Sequence, residues 1–199
     1  MGIRGRLLVV VVLFGIAPCV ASAATGPGAG WHLWWGQAAS DSQAVTLSST
    51  APGSPIETHS ALMTSTSSWR DESLSFTTTT LAQLRTGSSP NPWEVGWAMF
   101  RFRDLHDYYW FMLKTNGWEL GKKQGSDTQI FLATGGSPAL VPGHSHRVRI
   151  SAVGARIVVT VDGVRVVDYA DANPIRSGSV GLYEEDSVAR FESVAAGPA

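Results

Sequence analysis

Cysteine is nearly absent: the only one among 199 residues is Cys19, inside a segment that reads as a removable export signal. A chain cut after Ala23 has none, which excludes disulfides and leaves packing, hydrogen bonds or a metal to hold the fold. Charge is scarce too, at 16% of residues. With Arg4 and Arg6 removed, 13 Lys and Arg face 16 Asp and Glu, a formal charge of −3 with no basic stripe. That excludes nucleic acid and an anionic membrane surface as partners. No apolar run reaches the about 20 residues a spanning helix needs, so no membrane span is expected after signal cleavage. No window carries a capped 3.6-residue apolar period, and no internal repeat is present. G-x-S-x-G, H-E-x-x-H and phosphate-cradling glycine loops are missing as well, which argues against nucleophilic serine or cysteine catalysis.

What is present begins with the export signal, residues 1–23. Arg4 and Arg6 form the positive region, Leu7–Ile16 the apolar stretch, and Ala21-Ser22-Ala23 a small-residue cleavage site. The expected location is outside the cell, secreted or held at its surface. The remainder, 24–199, suits one domain with its core over about 31–194. All eight tryptophans lie in that remainder.

Short runs of β-branched and aromatic residues follow one another between turn residues. Arg156–Val161 and Val164–Tyr169 are joined by Asp162-Gly163 alone, a two-residue hairpin signal, because a type I′ turn needs positive φ at both positions. Asn116-Gly117 gives a second such signal between Tyr108–Thr115 and Trp118–Lys123. Trp69–Thr80 alternates Leu74 and Phe76 with Ser73, Ser75 and Thr77, the mark of a strand with one wet face. Further strands are expected at Ala44–Leu47, Ile56–Thr64, Val95–Arg103, Thr128–Ala133, Gly178–Tyr183 and Val188–Val194. Such a meander cannot bury its apolar face alone, so the pattern predicts an all-β, two-sheet antiparallel sandwich or jelly roll.

The stretches Trp97–Lys123 and His146–Val194 resemble the concanavalin A-like lectin/glucanase superfamily, meaning laminin-G-like and 3-keto-disaccharide hydrolase-like jelly rolls. The carrying residues are Phe102-Arg103 with Asp107-Tyr108-Tyr109, the Val159–Gly163 hairpin, and Gly178–Val194. The resemblance implies a carbohydrate connection and, in many members, a structural calcium. Glucanases of this superfamily set two glutamates on one strand as E-x-D-x-x-E, since only alternate residues point into one cleft. None of the glutamates here has those neighbours, so the reading leans away from an enzyme.

Three clusters remain as chemistry. Glu184-Glu185-Asp186 is the densest acidic run; like charges there could tune an acid, though a solvated turn is the expected reading. Asp104 and Asp107, with Asp168, Asp171 or Asp186 (Asp186 being preferred), could offer oxygen ligands to calcium, although no EF-hand spacing is present. His144 and His146 read as a polar start to a strand, lacking a third ligand. Aromatic density is highest between Trp93 and Trp118, where Tyr108 and Trp110 point one way and Tyr109 and Phe111 the other. Arg101, Arg103, Tyr109, Lys114 and Trp118 are expected to form one polar-aromatic face that binds a glycan or polysaccharide, the rings taking the flat C–H faces of sugars. The alternatives are a glycoside-acting enzyme like the 3-keto-disaccharide hydrolases and a calcium-stabilised adhesion module.

Overall fold

The computed structural model describes residues 24–25 and 30–199. The export segment and Cys19 lie outside the described residues. The strands are β1 (Ala24–Thr25), β2 (Trp31–Trp35), β3 (Gln37–Ser40), β4 (Ala44–Ser48), β5 (Ser60–Ser65), β6 (Glu72–Gln83), β7 (Gly96–Asp104) and β8 (Asp107–Lys114). They continue as β9 (Gly117–Gln124), β10 (Ile130–Gly135), β11 (His146–Val153), β12 (Arg156–Val161), β13 (Val164–Ala170), β14 (Ser179–Glu185) and β15 (Ser187–Pro198). An eight-stranded sheet runs β13-β12-β11-β6-β15-β4-β3 with β1 added to β15, and a seven-stranded sheet runs β10-β9-β8-β7-β14-β5-β2. All pairings are antiparallel.

The two sheets share one interior. Leu74 and Phe76 of β6, Val148 and Ile150 of β11, and Phe191 of β15 meet Phe100, Tyr109, Phe111 and Leu120 of the other layer, all buried. Phe76 and Phe191 touch edge to face at 5.6 Å, while Phe100 stacks on Tyr109 at 5.1 Å. Ser73 and Ser75 take the wet side of β6, as the alternation in sequence required.

The Asp162-Gly163 hairpin forms as expected, with φ of 51° and 82° and Val161 paired to Val164. The other hairpin is displaced by one residue. Its turn is Thr115-Asn116, and Gly117 pairs with Lys114 as the first residue of β9. Gly117 has φ of 132°, and a Cβ there would sit 2.0 Å from the Gly135 carbonyl oxygen, so glycine is demanded by close approach rather than by the turn. The strand expected from Ile56 starts only at Ser60; Ile56 is 94% exposed in a loop where Glu57 accepts the Gly53 amide.

One irregularity inverts the pattern of β7. Gly181 pairs with Met99 but Ser179 with Phe102, so β7 carries an extra residue, a β-bulge at Arg101 with φ of 47°. Beyond it the alternation changes sign. Phe100 stays inside against Tyr109, whereas Phe102 crosses to the outer face and packs on Tyr108 at 5.9 Å.

Candidate functional site

Pairing across the seven-stranded sheet lines up Glu119, Met112, Trp97 and Tyr183 on four successive strands. The neighbouring row is Phe131, Gly121, Trp110, Met99 and Gly181. Both rows face away from the interior and line a groove. A Cβ on Gly121 would lie 2.1 Å from Cζ2 of Trp110, so this glycine lets the indole lie flat on the sheet. Phe131 stands edge-on over Trp110 at 6.0 Å and is 65% exposed. Trp93, 42% exposed, forms the opposite wall, and its carbonyl accepts the Trp97 indole N–H at 2.8 Å.

Polar groups are placed among these rings. Glu119 accepts from the Trp110 indole at 3.1 Å and from Lys114 Nζ at 2.9 Å. Tyr183 donates its hydroxyl to Glu185 at 3.1 Å. Burial pushes the Glu185 carboxyl up, reinforced by the Asp186 and Glu94 charges and opposed by the Tyr183 hydrogen bond. At the far end Asp127 lies 3.3 Å from Lys123 and 3.2 Å from His106. Tyr108, which also lines that end, has its hydroxyl pushed up to about 12, chiefly by burial.

The rim is anchored from below. Glu184 and Asp186 point inward on either side of Glu185 and are fully buried, so the acidic run is no solvated turn. Charged side chains are buried in this way only when partnered. Asp186 accepts the His59 amide at 2.7 Å and Arg85 at 2.9 Å. Arg85 also binds Glu94, which is completely buried and takes a further bond from Asn91 at 2.7 Å. Glu184 accepts from the amide and hydroxyl of Ser187 at 2.8 and 3.1 Å. Burial raises its carboxyl to about 7 against those bonds. Together these contacts tie the loop carrying Trp93 to the strand end carrying Glu185.

Of the five residues expected to share a ligand face, the structure brings only Lys114 to this groove. Arg101 is fully buried: its guanidinium donates to the carbonyls of Gly154 at 2.8 Å and Ile175 at 2.6 Å, and its amide to Glu72 at 2.5 Å. Burial raises Glu72 to about 8, partly offset by that amide. Tyr109 is inside as well, donating to Asp171 at 2.5 Å beside Lys122, whose Nζ lies 2.7 Å from the same oxygen. Burial alone would raise Asp171, but the bonds from Lys122 and Tyr109 outweigh it and its carboxyl ends lowered. Trp118 packs inward, stacked on Phe111 at 6.4 Å with its N–H on the Ser137 carbonyl. Arg103 is exposed near the hairpin end of β7, away from these contacts.

The proposed calcium ligands do not converge. Asp104 and Asp107 pair at one end of β7 and β8, where Asp104 accepts the His106 amide, while Asp186 follows β14 at the opposite end and is saturated by Arg85 and the His59 amide. Among the described residues no group of three His, Cys, Asp or Glu is placed to hold a metal ion. These residues do not fit calcium. His146 pairs with Asp162 at 2.8 Å. Glu119, Phe131 and Tyr183 of this groove carry no expectation from the sequence, while Trp93 and Glu185 stood out there only as part of an aromatic-dense stretch and an acidic run. Strand parity was the available signal for Glu119, since β9 pairs it with Met112 and not with Tyr109. Among the described residues no helix is long and apolar enough to cross a membrane.

No protein-family model matches the chain, and no curated protein matches it in sequence. Solved structures do. The chain is similar to the carbohydrate-binding module CBM66 from Bacillus subtilis, at 19% identity and a TM-score of 0.67 over 85% of this chain and 96% of that one. It is similar to a Bacillus subtilis protein of unknown function with a galectin-like fold, at 13% identity and a TM-score of 0.62 over 84% and 88%. A third likeness is to the exoplasmic/lumenal domain of VIP36 in its Ca2+/Man3GlcNAc-bound form, at 13% identity and a TM-score of 0.61 over 89% and 88%. The chain is therefore a two-sheet antiparallel jelly roll with the concanavalin A-like fold.

Proposed function

We propose that the chain is a secreted glycan-binding domain and that the outer face of its seven-stranded sheet is the binding surface. One observation carries the reading: exposed Phe131 and Trp93 flank a Trp97 floor with carboxylate, ammonium and amide groups among them. Rings take the C–H faces of a sugar, while Glu119, Lys114 and Glu185 bond its hydroxyls. The names of the structural neighbours, a carbohydrate-binding module and a mannose-oligosaccharide-bound lumenal domain, support this chemistry.

Backbone geometry favours binding without cleavage. Glu119 and Glu185 stand on strands three steps apart, about 14 Å on the backbone at about 4.8 Å per step, whereas retaining hydrolysis wants carboxyl groups about 5–5.5 Å apart. The test is a glycan array with the chain cut after Ala23, run beside a reducing-sugar release assay. Binding that is weakened in Phe131→Ala and in Trp93→Ala, with no sugar released, is the expected result. Glycan binding that neither substitution weakens refutes this placement of the site.

A further inference from the structure

The groove is not a single hollow. Two depressions of about 350 and 320 Å3 adjoin on the same face and share Trp97, Gln129 and Glu185. Each falls in the size range of small-molecule sites, about 300–1,000 Å3. The first lies toward Met112 and Glu119, the second toward Tyr108 and Lys123. Tyr108 and Met112 are four residues apart on one strand, about 13 Å at about 3.3 Å per residue. One sugar ring does not span that length, and two linked rings do. The shared residues approach the junction from opposite rims: Gln129 from the loop before β10, Glu185 from the end of β14.

Charge narrows the occupant further. Both groove lysines are engaged, Lys114 by Glu119 at 2.9 Å and Lys123 by Asp127 at 3.3 Å, and His106 faces the same Asp127. Glu185, at the centre, forms no ion pair among the described residues; it accepts the Tyr183 hydroxyl and lies within hydrogen-bonding reach of the Trp93 side chain. An unpaired carboxylate flanked by rings welcomes hydroxyl donors and repels a uronate or sulfate.

Resting on the glycan-binding reading of this face, we infer that the groove has two adjoining subsites and takes two consecutive residues of an uncharged saccharide chain lying along β7 and β8. The linkage between those residues sits over Trp97, between Gln129 and Glu185.

Calorimetric titration tests this with gluco-, manno-, xylo- and fructo-oligosaccharides of one, two and four residues, and with oligogalacturonides of the same lengths. In the series that binds, the disaccharide exceeds the monosaccharide by about tenfold or more and the tetrasaccharide adds about threefold or less. Oligogalacturonides bind about tenfold more weakly than neutral chains of equal length; Glu185→Gln narrows that gap, and Glu185→Lys narrows it further or reverses it. A monosaccharide that binds as tightly as its tetrasaccharide overturns the paired subsites while leaving the glycan reading standing. An oligogalacturonide that outbinds every neutral chain overturns the charge argument. Silence across the whole panel, from protein whose melting transition is intact, overturns the glycan reading and this inference with it.

Discussion

Replacing Arg85 by methionine is the sharpest test of how the groove is held. The Arg85 side chain is 4% exposed and is the cation shared by Glu94 and Asp186, both fully buried. Methionine keeps most of the aliphatic volume and deletes the charge, which leaves two carboxylates inside the protein with only Asn91 and the His59 amide as donors. Breaking a buried ion pair from one side costs about 3–5 kcal/mol. For a domain of this size each kcal/mol lowers the melting temperature by about 2–4 °C, so circular dichroism should record a drop of about 6–20 °C at pH 7.5. Acid should relieve the defect, because a neutral carboxyl is far cheaper to bury than a carboxylate. The difference between variant and parent should at least halve at pH 4. A loss under about 1 kcal/mol, or the same loss at both pH values, would refute the account of Arg85 as the counter-charge of that end of the sandwich.

Phe131→Ala should weaken the best glycan ligand about five- to tenfold while moving the melting temperature by under about 3 °C, since the ring is exposed; titration and thermal melting read the two effects separately. Gly121→Ala pushes a methyl into the Trp110 indole and should cost about 1–3 kcal/mol in urea unfolding, with Trp110→Phe in the same chain recovering part of it through their coupling. The Glu184 carboxyl, raised to about 7 when folded, keeps a proton that the unfolded chain releases near pH 4.5. Its contribution is thus present below about pH 4.5 and lost as pH climbs through 7. Glu184→Gln should flatten that slope and gain up to about 3 kcal/mol relative to the parent between pH 4.5 and 8, read by urea titrations across the range. Millimolar calcium added to chelator-treated protein should leave the melting temperature unchanged; a rise of several degrees would reveal a cation site that these aspartates do not form.

The architecture was legible because sheet formation is local in pattern: Leu74 and Phe76 against Ser73 and Ser75 announce their faces, and Asp162-Gly163 announces its turn. The proposed ligand face was only half legible. Period-two parity puts Tyr109 and Trp118 on one side and Lys114 on the other in either hairpin register, so that rule alone separates residues that density of aromatics groups together. The bulge at Arg101 lay beyond reach, because a non-glycine residue at φ of 47° leaves no signature in composition, yet it reverses where Phe102 and Arg103 point. Nor could sequence reveal that Glu184 and Asp186 go inside: of their partners only Ser187 is near in the chain, while Arg85, His59 and Ser49 sit far along it. The grouping of Asp104, Asp107 and Asp186 failed for the converse reason, since proximity of Asp104 to Asp107 in sequence says nothing about Asp186 at the opposite end.

The in–out–in alternation of Glu184, Glu185 and Asp186 has a bearing on how a ligand is received. Backbone gripped on both sides by interior bonds cannot shift to greet a guest, so the central acceptor stands ready before any sugar arrives. Little protein freedom is then left to lose on association. Free and occupied forms should superpose within about 1 Å over β7, β8 and β14, and sugars of slightly different shape should be told apart by misfit rather than accommodated.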